Sequence, residues 1–210
     1  MEEIRKPEWE VFWVDTQEEL DFVIEECKKH DLISLDVETA DWRKGHDHDY
    51  LALIQLGIPA LERTFLIDAI AFSGGDRNKE ETAFAGLKQL LENTDIEFII
   101  QYAPFEQRHF KRSGVELAEC TVSDTRVIAK KLHPYFAKYG LQDLARELLN
   151  ADITKGPQTS DWSVRPLTQA QIDYAALDPE ITYKVYKKLK EDALEVDVDV
   201  TKVPWAGKGR

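Results

Sequence analysis

Short apolar runs rich in β-formers dominate the first third of the chain, and apolar positions at helical spacing dominate most of the rest. The first run predicts a strand over Trp9–Val14. A helix over Gln17–Lys29 follows, opened by Thr16-Gln-Glu-Glu19, a capping box in which the Thr hydroxyl and the Glu carboxylate satisfy free N–H groups of the first turn. Three more strands are predicted at Leu32–Val37, Leu51–Gly57 and Thr64–Ile67. Their connections look too short for crossover helices, so antiparallel order is expected. A break at Ser73–Asn78 precedes a helix near Glu81–Glu92, with Phe84, Leu87, Leu90 and Leu91 at helical spacing. Strand Ile96–Gln101 and a helix from Pro104 then form a β-α unit. Helices are predicted over Asp124–Leu132, Leu141–Leu149 and Gln169–Lys190. The expected architecture is α/β: a mixed central sheet with three antiparallel leading strands, flanked by helices. One domain is expected over residues 1–192, with a polar, frayed tail over 193–210.

Composition narrows this picture. With 210 residues, 43% of them apolar, the chain can build one core of ordinary size and is too apolar for general disorder. Cys27 and Cys120 form no C-x-x-C pair, so neither a zinc site nor a disulfide framework is expected. The charged N-terminus is unlike a signal peptide, and no apolar run is long enough to span a bilayer. A reduced, cytoplasmic setting is expected. The net charge of −13 argues against strong non-specific binding to nucleic acid. Its distribution softens that point: Gln101–Arg165 holds ten Lys/Arg against eight Asp/Glu. A locally neutral or basic face is therefore available.

The candidate chemistry is carried by carboxylates. In Leu32-Ile-Ser-Leu-Asp-Val-Glu38, period 2 puts Asp36 and Glu38 on one face and Ile33, Leu35 and Val37 on the other. Two carboxylates projecting together at the end of an apolar strand are costly unless one takes a proton or a cation sits between them. A solvated strand end is the alternative. Gln101-Tyr-Ala-Pro-Phe-Glu106 follows another apolar strand. Pro104 suits the first helical position and places Glu106 in the first turn, where the helix dipole alone would also favour an acid. In Tyr174-Ala-Ala-Leu-Asp178, Tyr and Asp at i and i+4 share a face. Thr168-Gln-Ala-Gln171 caps the helix that carries them, and Ala175 and Ala176 allow a close approach to another element.

In this order, the three pieces resemble the DEDD 3′-5′ exonuclease superfamily, in its tyrosine-bearing subclass, and most closely the ribonuclease D family. Asp36-x-Glu38-Thr39 is similar to the first motif, Tyr102-Ala-Pro-Phe-Glu106 to the second and Tyr174-x-x-x-Asp178 to the third. Leu53-Ile-Gln-Leu, Ser123-Asp-Thr and Gly140-Leu-Gln-Asp-Leu-Ala fit as well. So does the run from Lys155 through Gln158-Thr-Ser-Asp-Trp-Ser-Val-Arg-Pro-Leu-Thr to Asp178. The resemblance covers about residues 30 to 190. It implies a ribonuclease-H-like (DnaQ-like) fold and hydrolysis of phosphodiester bonds from the 3′ end of RNA, releasing nucleoside monophosphates.

It also implies two divalent metal ions, Mg²⁺ or Mn²⁺. Asp36 would bridge both; Glu38 and Asp178 would complete one site and Glu106 would serve the other through water. Tyr174 would orient the attacking water, since a phenol is a poor base at neutral pH. Weaker substrate contacts fall on Thr39, Tyr102, Phe105, Lys155, Trp162 and Arg165, with core packing the alternative for Trp162. Asp124 is either a helix cap or a site contact, and the loop with His46 and His48 borders the first motif. The chain departs from the family where Glu106 replaces the usual Asp, and where Gln101 and Tyr102 stand in place of commoner His and Asn. The helical domains that usually follow in ribonuclease D find no room, so substrate grip is expected to involve a protein partner or homo-oligomer. A DNA-directed exonuclease and a catalytically silent nucleic-acid-binding homologue are the competing readings.

Overall fold

A computed structural model describes residues 1–40, 49–117, 121–153 and 156–200. The predicted His46 and His48, Cys120 and Lys155 lie outside them. The elements run β1 (Glu2–Ile4), β2 (Glu10–Val14), α1 (Gln17–Cys27), β3 (Leu32–Ala40), β4 (Tyr50–Ile58), β5 (Arg63–Ile67), α2 (Ala69–Ser73), α3 (Glu80–Ala83), α4 (Ala85–Leu91), β6 (Glu97–Ile100), α5 (Pro104–Arg112), β7 (Val122–Asp124), α6 (Thr125–Leu132), α7 (Leu141–Leu149), β8 (Ala151–Ile153) and α8 (Gln169–Glu195).

Six strands form a mixed sheet in the order β2-β5-β4-β3-β6-β7. β3, β4 and β5 are antiparallel, as their short connections require, while β2 joins β5 in parallel and β6 and β7 extend the sheet in parallel beyond β3. β1 and β8 form a separate parallel pair. Period 2 along β3 divides the molecule. Ile33, Leu35 and Val37 enter the main core with residues of α1, α4 and α5. The opposite face is covered by α6, α7 and α8.

α8 begins at the expected cap: Thr168 accepts from the Gln171 N–H, and Gln171 reciprocates. The helix crosses β3, β4 and β5 closely. Thr64 Oγ1 donates to the Ala176 carbonyl at 3.4 Å. At Gly57 of β4 an added Cβ would lie 2.3 Å from Ser34 Oγ and 3.0 Å from Pro179 Cβ, so only glycine permits this crossing. α8 runs to Glu195, past the expected boundary at 192, and Val200 is buried in the cluster formed by α6, α7 and α8. Among the described residues, no helix is long and apolar enough to cross a membrane.

Three local expectations need correction. The helix expected over Glu81–Glu92 is two, because Phe84 leaves helical geometry (φ −106°, ψ 18°) as its ring enters the core. The helix expected from Asp124 starts at Thr125, and Asp124 caps it, accepting from the Arg126 and Val127 N–H groups. β3 does not stop at Val37; it continues to Ala40 through an irregularity between Glu38 and Thr39. There Leu53 pairs with Glu38 and Leu51 with Thr39, leaving Ala52 as the extra residue of a bulge.

Candidate active site

Asp36 and Glu38 project from within β3, opposite Gln55 and Leu53 of β4, on the face that α8 covers. Asp178 reaches them from α8. Single ligand oxygens of Asp36, Glu38 and Asp178 all lie within 4.8 Å of one another. Glu106 enters from the first turn of α5, where Pro104 starts the helix as expected. It is 2% exposed, its carboxyl hydrogen-bonds that of Asp36, and its Oε2 is buried without a hydrogen-bond partner. Tyr174, one turn before Asp178, donates its hydroxyl proton to the Asp178 carboxylate. The first, second and third motifs thus converge, although 142 positions separate Asp36 from Asp178.

The electrostatics follow from crowding. Burial, opposed by hydrogen bonds from the Val37 backbone and from Glu106, raises Asp36 to about 6. Burial first and the neighbouring carboxylates second push Glu38, Glu106 and Asp178 well above the ordinary carboxylate range. Burial likewise pushes the Tyr174 phenol far up, so it stays protonated and acts as a donor. Four oxygen acids that cannot all ionise together, one with an unpartnered buried oxygen, are a donor set that fits hard divalent cations.

These groups line a cleft of about 780 Å³. Thr39, Tyr102, Phe105 and Trp162 line it too, as the sequence suggests. Trp162 is at once core and wall: it packs with Leu53, Leu66, Ala175 and Ala176, and its ring lies 6.2 Å from that of Tyr174. Arg165 does not line the cleft. Its Nε and Nη2 donate to the two oxygens of Asp68 at 2.8 and 2.6 Å, Nη1 donates to the Trp162 and Val164 carbonyls, and Nη2 also donates to that of the bulged Ala52. Arg165 therefore fastens the loop before α8 to the sheet. Asp124 is structural as well: besides capping α6 it accepts from the N–H groups of Tyr102 and Ala103. Gln142, Gln158 and Thr159, from the family-like runs, also line the cleft, as do Arg108 and Arg126, which were not singled out from the sequence. For the two arginines the signal in the sequence was the locally basic balance of this region.

A 3′-5′ exonuclease family profile matches residues 11–193. The chain is 25% identical over 197 residues to the exosome complex exonuclease RRP6 of Saccharomyces cerevisiae, covering 92% of this chain and 25% of that one. It is 29% identical over 178 residues to ribonuclease D of Gluconacetobacter diazotrophicus, covering 85% and 42% respectively. It thus spans less than half the length of these relatives. Its fold is similar to that of the Aedes aegypti Nibbler EXO domain, with a TM-score of 0.78 at 18% identity, over 95% of this chain and 96% of that one. With the profile covering most of its length and the three motifs joined in one cleft, the chain belongs to the 3′-5′ exonuclease family.

Proposed function

We propose that the chain removes nucleotides from the 3′ end of single-stranded RNA by phosphodiester hydrolysis, with residues 1–192 as the exonuclease domain. The observation that carries this reading is the meeting of Asp36, Glu38, Glu106 and Asp178 with Tyr174 in one cleft. Asp36, Glu38 and Asp178 would hold one divalent ion, Mg²⁺ or Mn²⁺, and Asp36 would share a second that Glu106 serves through water. Such ions, when bound, neutralise phosphoryl charge and lower the pKa of water. Tyr174, kept as a neutral phenol, orients the attacking water by donating or accepting a hydrogen bond. Thr39, Phe105 and Trp162 border the terminal nucleotide. The names of the exosome and ribonuclease D relatives support RNA over DNA as substrate. A reduced, cytoplasmic setting fits the free, buried Cys27.

The test is incubation of the purified protein with 3′-tailed RNA and DNA oligonucleotides, with and without EDTA. Expected is a ladder shortened from the 3′ end, faster on RNA and abolished by the chelator. Binding without shortening, or shortening that ignores EDTA, would contradict the proposal.

A further inference from the structure

Beside the carboxylates the cleft continues along a wall formed by the loop before α5, the start of α6 and Tyr139 ahead of α7. We propose that this wall is a track for the nucleotides upstream of the 3′-terminal one, built as two rungs in which a cation lies over an aromatic ring: Arg126 over Tyr102 and Lys130 over Tyr139. The inference rests on the exonuclease reading and extends it to the part of the substrate that is not cleaved.

The guanidinium carbon of Arg126 lies 4.5 Å from the centre of the Tyr102 ring, and Lys130 Nζ lies 5.6 Å from that of Tyr139. Arg126 and Lys130 stand at i and i+4, so they occupy one face of α6 a turn apart. Both tyrosines and Arg126 line the cleft, and Lys130 is exposed beside it. Tyr102 precedes Glu106 by one helical turn's worth of chain, which sets the first rung next to the carboxylate centre.

The wall is fixed in place rather than incidental. Tyr102 adopts a left-handed backbone conformation (φ +71°) and is 46% exposed. An L side chain adopts this conformation only when its surroundings hold it there. Asp124 does so, accepting from the Tyr102 and Ala103 N–H groups at 3.3 and 2.9 Å while capping α6 at the Arg126 and Val127 N–H groups. One carboxylate thus sets the register of Arg126 over Tyr102. Gln101 links the rungs: its Nε2 donates to the Tyr139 carbonyl at 2.8 Å, and its Oε1 accepts from Thr125 Oγ1. Arg126 Nε is buried with no hydrogen-bond partner in the protein.

Aromatic faces for stacking bases and cations for phosphates are the chemistry that grips single strands without regard to sequence. In a chain of net charge −13 such cations matter most where the strand must enter.

The experiment compares two substrates. A ten-nucleotide single-stranded RNA reaches the wall; the p-nitrophenyl ester of a nucleoside 5′-monophosphate has no upstream nucleotide. For the double variant Arg126→Ala/Lys130→Ala, KM for the RNA is expected to rise about tenfold with kcat within about twofold. Its dependence on salt should become shallower by about 0.7 in log–log slope per lost phosphate contact. Ester hydrolysis should stay within about twofold. Tyr102→Ala should raise KM for the RNA, and Tyr102→Phe should not. An unchanged KM, or an equal loss on the ester, overturns the track. Should the parent hydrolyse neither substrate, the exonuclease reading fails separately. Anisotropy of a fluorescein-labelled ten-mer then decides the track: weaker binding by the double variant supports it, and equal binding overturns it.

Discussion

At Glu106 the side chain is one methylene longer than the aspartate common at that position in the family. The extra reach is taken up inside the cluster, where the Glu106 carboxyl hydrogen-bonds Asp36 and keeps a buried oxygen without a partner. A group acting through water tolerates such a change better than one bound directly. Glu106→Asp is therefore expected to alter the exonuclease rate by less than about tenfold, and Glu106→Gln to lower it by about 100-fold or more, since even groups that only support metal ligands cost 10–100-fold. Rates under Mg²⁺ and Mn²⁺ check this; an inactive parent rescued by Glu106→Asp would contradict it. At this scale Asp36, Glu38, Glu106, Tyr174 and Asp178 were legible, because period 2, the helix-opening Pro104 and i,i+4 spacing fix where such side chains point. Arg165 was not. In sequence it reads as a substrate contact, and only the fold reveals that Asp68, distant along the chain, already holds it.

Among the elements, α8 does the most to assemble the site, carrying Tyr174 and Asp178 across the sheet that bears Asp36 and Glu38. Its anchor at the far side is Glu180, fully buried, which accepts from the Glu8 and Trp9 N–H groups at 2.9 and 3.1 Å and from Lys184 Nζ at 2.7 Å. Glu180→Ala would strand two backbone donors, each costing about 1–3 kcal/mol if buried and unpaired. We expect a loss of about 2–4 kcal/mol in urea unfolding. A loss below about 0.5 kcal/mol would show that Glu180 is not the anchor. Helices with strong caps at Thr16 and Thr168 were legible in the sequence. The three-residue strands β1, β7 and β8 were not, since each exists only through pairing with a partner from elsewhere in the chain. The bulge at Ala52 was equally hidden: it arises from the register of two strands, and neither strand states it alone.

For the molecule as a whole, the carboxylate cluster sets a conflict between stability and charge. In the metal-free fold Asp36 is raised to about 6, and Glu38, Glu106 and Asp178 are raised well above their ordinary values. The folded protein then keeps protons that the unfolded chain releases near pH 4. The resulting stabilisation is present below about pH 4 and lost as pH rises through about 6 and beyond. Metal-free Tm is expected to fall between pH 5 and pH 8, and to fall less in Glu38→Gln, in which the surface carboxylates titrate as before. At pH 7.5, saturating Mn²⁺ should raise the parent's Tm by about 4 °C or more and that of Glu38→Gln much less. Identical pH profiles for the two proteins, read by differential scanning calorimetry, would contradict this.

The most direct measurement is anomalous diffraction from crystals grown with Mn²⁺. Manganese peaks are expected within coordination distance of Asp36, Glu38 and Asp178, with Glu106 beside a second peak that shares Asp36. Saturated crystals with no manganese among these side chains would contradict the proposed metal centre.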